Sequence, residues 1–383
     1  MSWYSARVDD DITQAVLSRD EVARYLRGGP GVTPDQAHEQ ISAYLDELRT
    51  TQRYAVYRTL KHPLYPILRK IRRQPEHIEL AQAATRSHRV VYASNHKSHL
   101  DYLVELLVLD EHGIRPPVTA AGTNLFNGAV GLLNRHVTGA IPIRRDSRDP
   151  VYLATLRAYV AELVQRHDLF LYLEGGRSYS GEIKPMKTGL LQAVMLARRP
   201  DVVIVPVAIA YDLVLEDQTL AQQGVKRRQR HFAAEVAEMA RYAVGYESRA
   251  FVTFGQPIPL ETVDPDSRRD LVMLKRHTRE AIGKLYKVLP TALLAAALRP
   301  SMARRTLVDR IDHLLDGLRL ANANLGVQTG REAVEQATEP LATRGIIVVQ
   351  GDRYRVRNRH VLRYYARTLK HLLRDHWPSN LTH

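Results

Sequence analysis

The run Val202-Val203-Ile204-Val205-Pro206-Val207 constrains the fold most. It is continuous, apolar and β-branched, the pattern of a strand buried on both faces. Such a strand belongs inside a largely parallel sheet with helices above and below it. Residues 89–93, 118–121, 169–173 and 251–254 read as further short strands. Helical apolar spacing fills the gaps at 100–110, 127–133, 150–166 and 189–198. The expected fold class is therefore α/β, a mainly parallel sheet flanked by helices, with N-terminal helical and C-terminal mainly helical extensions.

The flanks differ in character. A helix over 20–27 ends at Gly28-Gly29-Pro30-Gly31, and a second starts with Thr33 as N-cap and Pro34 in the first turn. Between Thr51 and Arg73 come Arg53, Arg58, Lys61, Arg69, Lys70, Arg72 and Arg73 with no acidic residue, interleaved with tyrosines and aliphatics. That stretch suits the interface of an anionic membrane, and equally a helix packed on the core with a solvated basic face. Beyond about residue 265 helices are expected at 270–289 and 306–320, then a hairpin over 345–356 and a basic helix over 361–374. The division expected is 1–75, a helical region and candidate membrane contact; 76–265, the α/β domain; and 266–383, the helical region with its hairpin. No recognition helix precedes the hairpin, so nucleic acid is not an expected partner.

The 383 residues carry a formal net charge of +14, which points to anionic partners: acidic membrane, phosphorylated substrates or nucleic acid. There is no cysteine, so disulfides, thiolate nucleophiles and cysteine-held zinc are excluded. The first twenty residues lack the apolar core of a secretory signal. The longest apolar runs, 202–211 and 289–298, are about half the length a membrane-crossing helix needs.

Four clusters carry chemistry. The strand at 89–93 stops on Ser94-Asn95-His96-Lys97-Ser98-His99-Leu100-Asp101, placing two imidazoles and a carboxylate where a helix begins. Strand ends that face helix starts are where α/β proteins place ligands. A histidine oriented by a carboxylate activates a hydroxyl nucleophile, and the His96-(x4)-Asp101 spacing lets Asp101 reach the ring around a turn. His99 is a rival base, and metal ligation by His96, His99 and Asp101 a rival use. In the second cluster, Gly139-Ala140-Ile141-Pro142-Ile143 delivers Arg144 and Arg145, whose guanidinium forks suit phosphate or simply end a strand in solvent.

The third cluster is Leu171-Tyr172-Leu173-Glu174-Gly175-Gly176-Arg177-Ser178, followed by Lys184, Lys187, Thr188 and Gly189. Glycines let backbone amides approach an anion, and the helix start at Lys187 is another anion-friendly place; a plain strand-to-helix turn has the same pattern. Glu174 orients Arg177 or binds a substrate hydroxyl. The fourth is the 202–211 run, where Pro206 lines a pocket wall or simply packs in the core.

In this order, the clusters resemble the glycerolipid acyltransferase family. Asn95-His96-x4-Asp101 looks like its first block, Ile143-Arg144-Arg145 its second, Glu174-Gly175-Gly176-Arg177-Ser178 its third and Val205-Pro206-Val207 its fourth. Ser98-His99-Leu100-Asp101-Tyr102, Ala121-Gly122-Thr123-Asn124-Leu125, Lys187-Thr188-Gly189 and Arg363-Tyr364-Tyr365-Ala366 resemble the bacterial glycerol-3-phosphate acyltransferases in particular. Asn95 before the histidine is commoner in the lysophosphatidate type, and the chain is short for the glycerol-3-phosphate class.

The resemblance implies acyl transfer from acyl-CoA or acyl-carrier protein to the 1-hydroxyl of glycerol 3-phosphate, with lysophosphatidate as the alternative acceptor. It implies His96 as base, Asp101 as its orienting partner, and Arg144, Arg177 and Lys187 around the phosphate. Glu174 places the glycerol, and Asn124, Arg145, Gly175, Gly176, Ser178 and Pro206 complete the substrate-binding set. No metal or prosthetic group is implied. The expected location is peripheral, at the cytoplasmic face of an anionic membrane.

Overall fold

A computed structural model describes residues 11–28, 32–50, 68, 70–122, 139–144, 147–226 and 248–373. Most of the basic 51–73 stretch, the helix expected at 127–133, Asn124 and Arg145 lie outside the described residues.

The N-terminal helices are α1 (Asp20–Leu26) and α2 (Pro34–Leu48). Thr33 and Gln36 form a reciprocal capping box at the start of α2, with Pro34 in its first turn. The sheet is built from β1 (Ile71–Glu76), β2 (Arg89–Ser94), β3 (Val118–Gly122), β4 (Ala140–Ile143), β5 (Leu169–Tyr172), β6 (Val202–Tyr211), β7 (Ser248–Phe254) and β8 (Ile258–Pro259). Its order is β1-β7-β6-β2-β5-β3-β4, with β8 paired to β6. From β6 to β4 neighbours run parallel, while β7 and β8 run antiparallel to β6.

Helices α3 (Ile78–Ser87), α4 (Asp101–Glu111), α5 (Pro150–Arg166) and α6 (Gly189–Met195) lie between strands, and α7 (Asp217–Lys226) follows β6. The sheet is covered on both faces, as the 202–207 run requires. On β6, Val203, Val205, Val207, Ile209 and Tyr211 enter one hydrophobic cluster, while Val202, Ile204, Ala208 and Ala210 enter the other. This two-residue alternation lets one strand serve two cores.

The sheet starts earlier than expected. β1 begins at the end of the basic stretch and pairs parallel with β7 at the sheet's edge. Only Ile71 of its side chains is buried, and Pro75 is tolerated because an edge strand leaves one side of its backbone unpaired. The strand expected at 202–207 runs on to Tyr211.

The C-terminal part contains α8 (Arg268–Leu285), α9 (Pro290–Ala297), β9 (Ser301–Ala303), α10 (Arg304–Leu320), α11 (Gly330–Thr343), β10 (Ile347–Gln350), β11 (Arg353–Val356) and α12 (Arg359–Arg367). The expected 270–289 helix stops at Leu285, and Pro290 begins a second one whose residues are all buried. The expected hairpin forms, and β9 adds to it as a third antiparallel strand. The basic helix ends at Arg367, seven residues short of its expected end.

Because β2 and β5 run parallel with Ser94 opposite Tyr172, their next residues leave the sheet at the same edge. This register brings His96 and Glu174 together.

Candidate active site

Past the end of β2 the chain makes a tight turn and enters α4 at Asp101. The turn wraps around the Asp101 carboxylate. Asp101 Oδ2 lies 2.8 Å from His96 Nδ1 and accepts the backbone N–H groups of Lys97 at 2.6 Å and Ser98 at 2.9 Å. Oδ1 accepts the Tyr211 hydroxyl at 2.9 Å. Asp101 is wholly buried, whereas the His96 side chain keeps 11% of its exposure. The five-residue spacing thus gives a carboxylate held by four donors, the imidazole among them.

The imidazole is also fixed from its face. Tyr172 stacks on it with ring centroids 4.4 Å apart. The Tyr172 hydroxyl donates to Glu105, whose other oxygen accepts from Ser94 Oγ at 2.6 Å. Burial, reinforced by nearby Asp101, pushes the Glu105 carboxyl well above the usual carboxylate range. Asn95 bridges to β6, accepting from Ile209 N–H at 2.8 Å and donating to Ile209 C=O at 2.9 Å.

The glycine loop after β5 closes over the same point. Both Glu174 oxygens are taken by backbone amides, Oε1 by His96 N–H at 3.3 Å and Oε2 by Lys184 N–H at 2.9 Å. Glu174 is 1% exposed, and burial raises its carboxyl while Lys97 opposes the rise. The sequence reading gave Glu174 to the glycerol; the structure makes it a brace beneath His96, because its carboxylate is turned inward. Ser178 likewise braces the turn, its N–H donating to His96 C=O at 2.9 Å and its hydroxyl to Glu182 C=O at 2.6 Å. Gly175 has φ +69°, and a side chain there would meet Lys187 Cδ at 2.8 Å. Lys187 therefore lies directly across the loop.

The cations expected around a phosphate are not all gathered. Arg177 is buried, with Nη1 3.5 Å from Glu216 and its guanidinium 5.7 Å from the Tyr179 ring centroid. Glu216 also accepts Ser98 Oγ at 2.9 Å and His99 N–H at 2.7 Å. Burial raises the Glu216 carboxyl, and Arg177 pulls it back. Arg144 lies on the molecule's outside, its guanidinium fork gripping Glu47 and packed over Tyr44 and Tyr152 at 5.1 Å each. The fork that the sequence reading gives to phosphate is here filled by a carboxylate of α2.

Pro206 lies in the core, opposite Ala93 on β2. Its carbonyl accepts Gly255 N–H at 2.8 Å. Its nitrogen, without a proton, faces the same side, where the partner of β6 changes from β8 to β7 and no ladder bond is lost.

Beside the imidazole is a cavity of about 90 Å³, walled by His96, His99, Tyr102, Thr119, Ala120, Ala121, Gly122, Ile143, Tyr172, Gly175, Gly176 and Leu190. It joins one polar edge, the dyad and the glycine loop, to apolar surface on β3 and β4. Among the described residues no three His, Asp or Glu side chains gather as a metal site. Sequence reasoning missed Tyr211, Tyr172, Glu105 and Glu216. One signal was available: Glu105 is a lone carboxylate within the otherwise apolar Leu103–Leu109 run of α4, a position that is favourable only with a buried partner.

Residues 73–210 match the acyltransferase family model. A glycerol-3-phosphate acyltransferase from Aeromonas hydrophila is 32% identical over 240 residues, 60% of this chain and 30% of its own. One from Actinobacillus succinogenes is 31% identical over 245 residues, 61% of this chain and 30% of its own. One from Pseudomonas fluorescens is 30% identical over 258 residues, 65% of this chain and 30% of its own. The chain thus spans about 30% of the length of these curated relatives. The matched stretch contains both members of the His96–Asp101 pair, the glycine loop and Pro206, and it resembles an acyltransferase domain of the kind found in the bacterial glycerol-3-phosphate acyltransferases.

Proposed function

We propose that this chain transfers an acyl group from an acyl thioester, on coenzyme A or acyl-carrier protein, to the 1-hydroxyl of glycerol 3-phosphate. The observation that carries the reading is the 2.8 Å contact between His96 Nδ1 and Asp101, made at the wall of the cavity. With Nδ1 engaged by Asp101, proton exchange with a ligand falls to Nε2. The hydroxyl gives its proton to Nε2 as its oxygen attacks the thioester carbonyl. The tetrahedral intermediate collapses with cleavage of the C–S bond, and the imidazolium returns the proton to the departing thiolate. Asp101 stabilises the charged ring throughout. The reaction so written calls for no metal or prosthetic group.

Lys187, whose side chain lies against Gly175, and Arg177, which follows Gly176 in the chain, supply the phosphate's countercharge. Arg144 joins them only by exchanging Glu47 for phosphate. The +14 charge supports a peripheral place on the cytoplasmic face of an acidic membrane, which also attracts the anionic substrates. No described helix is long and apolar enough to cross a membrane.

The test is incubation of purified protein with a labelled acyl thioester and, separately, glycerol 3-phosphate or 1-acylglycerol 3-phosphate. Labelled lysophosphatidate from the first acceptor is expected. Transfer to the lyso-lipid alone would overturn the choice of acceptor, and transfer to neither would overturn the reaction.

A further inference from the structure

Helix α4 carries two carboxyl groups one turn apart, Asp101 and Glu105, and both residues are wholly buried. Residues four apart lie on one face of a helix. Asp101 holds the imidazole of His96. Glu105 sits in the otherwise apolar and buried run from Leu103 to Leu109, where a leucine would pack without the cost of burying a polar group. A carboxyl in that place calls for a task.

Its partners point to one. Glu105 accepts from Ser94 Oγ at 2.6 Å and from the Tyr172 hydroxyl. Ser94 and Tyr172 stand opposite one another where the β2–β5 ladder ends. One carboxyl thus ties α4 to both strands at the point where each leaves the sheet for the site. The Tyr172 ring, held at its far end, lies against the His96 imidazole with centroids 4.4 Å apart and planes 25° apart. Both rings stand in the wall of the cavity.

A single hydrogen bond from Nδ1 to Asp101 leaves an imidazole able to swing about the line of that bond. A phenol on its face stops the swing, and it also favours the imidazolium that forms when the ring takes a proton. We propose that Glu105 is a positioning residue for acyl transfer: by bonding Ser94 and Tyr172 it holds the phenol on His96 and keeps the base in one orientation at the cavity wall. This rests on His96 being the base, as in the reading given above. Burial and the nearby Asp101 both push the Glu105 carboxyl up, so the negative charge of the two stays on Asp101, where the imidazolium forms. A protonated carboxyl keeps both contacts by donating in one of them, and so does a glutamine amide.

The experiment compares wild type, Glu105→Leu, Glu105→Gln and Tyr172→Phe in steady-state acyl transfer to glycerol 3-phosphate, per folded protein as measured by urea unfolding. Glu105→Leu is expected to lower kcat about tenfold, the scale of one stacked ring contact. KM for both substrates stays at the wild-type value, because Glu105 is buried and touches neither. Tyr172→Phe, which keeps the ring but not the tether, lowers kcat in the same way and carries the test should Glu105→Leu not fold. Glu105→Gln restores most of the kcat lost in Glu105→Leu. Histidine-ring NMR supplies a second readout, with the His96 signals identified by their loss in His96→Ala. The Tyr172 ring current places them upfield in wild type, and they move downfield in Glu105→Leu. A wild-type kcat in Glu105→Leu, equal losses in Glu105→Gln and Glu105→Leu, or unmoved His96 signals overturns the role while leaving the reaction intact. A wild-type protein that transfers to neither acceptor overturns the reaction, and this role with it.

Discussion

Asp101 is the residue on which the site turns, and its five-residue distance from His96 made the pair legible. The contact is local, so a strand end followed by a helix start was enough to bring the groups together. The remaining partners came from 78 residues away for Glu174 and 110 for Tyr211, and no local pattern encodes such meetings. That is why Glu174 was read as a substrate ligand although it is buried under the histidine. Lys97, between the two dyad members, shows the same inward turn. It is 1% exposed and donates to Gly181 C=O, and burial lowers its ammonium to about 8, against the opposing pull of Glu174, Asp101 and Glu182.

The sign follows from proton counting. Between pH 8 and the ordinary 10.5 the unfolded chain binds more protons at Lys97 than the folded one, so stability rises with pH across that window. The full effect is on the order of 3 kcal/mol. Urea unfolding at pH 7.5 and 10 should show this rise in wild type relative to Lys97→Met. Identical pH dependence in the two proteins would show that the lysine's burial has no such effect.

At the scale of elements, strands covered on both faces were the most legible because each of their residues must be apolar. β1 was not, since Ile71-Arg72-Arg73-Gln74-Pro75-Glu76 is an edge strand with one buried side chain and little hydrophobic pattern. Nor was α11, which opens on Gly330 and contains Pro340, both weak helix formers. α11 is nonetheless tied to the start of α7. Arg344, at its C-cap, donates to Asp217 at 2.7 Å and to Leu215 C=O at 2.6 Å, and Tyr365 of α12 donates to the same carboxylate at 2.8 Å. Both charged side chains are almost wholly buried. Arg344→Ala leaves Asp217 buried without its countercharge and is expected to cost about 3–5 kcal/mol in urea unfolding. Arg344→Met with Asp217→Asn should recover much of that. A single-variant loss below about 1 kcal/mol would mean that water replaces the arginine.

At the scale of the molecule, the C-terminal helices from α9 onward are a layer on one face of the sheet. Residues of α9, α10, α11 and α12 share one hydrophobic cluster with β2, β6 and β7. α1, α2, α5, α6 and α8 occupy the other face. The sequence showed a helical tail but not which face it covers, because that depends on pairings between distant elements. The net charge of +14 was legible outright. It predicts sedimentation with vesicles containing acidic phospholipid, weakening as salt rises from low to physiological strength. Equal binding to neutral and acidic vesicles would contradict an electrostatic contact.

The most direct test is the rate of acyl transfer to glycerol 3-phosphate by wild type and His96→Ala at matched protein concentration and confirmed folding. Loss of at least about a hundredfold in kcat is predicted, the scale on which a positioned general base acts. A variant that keeps most of its activity would contradict the assignment of His96 as the base.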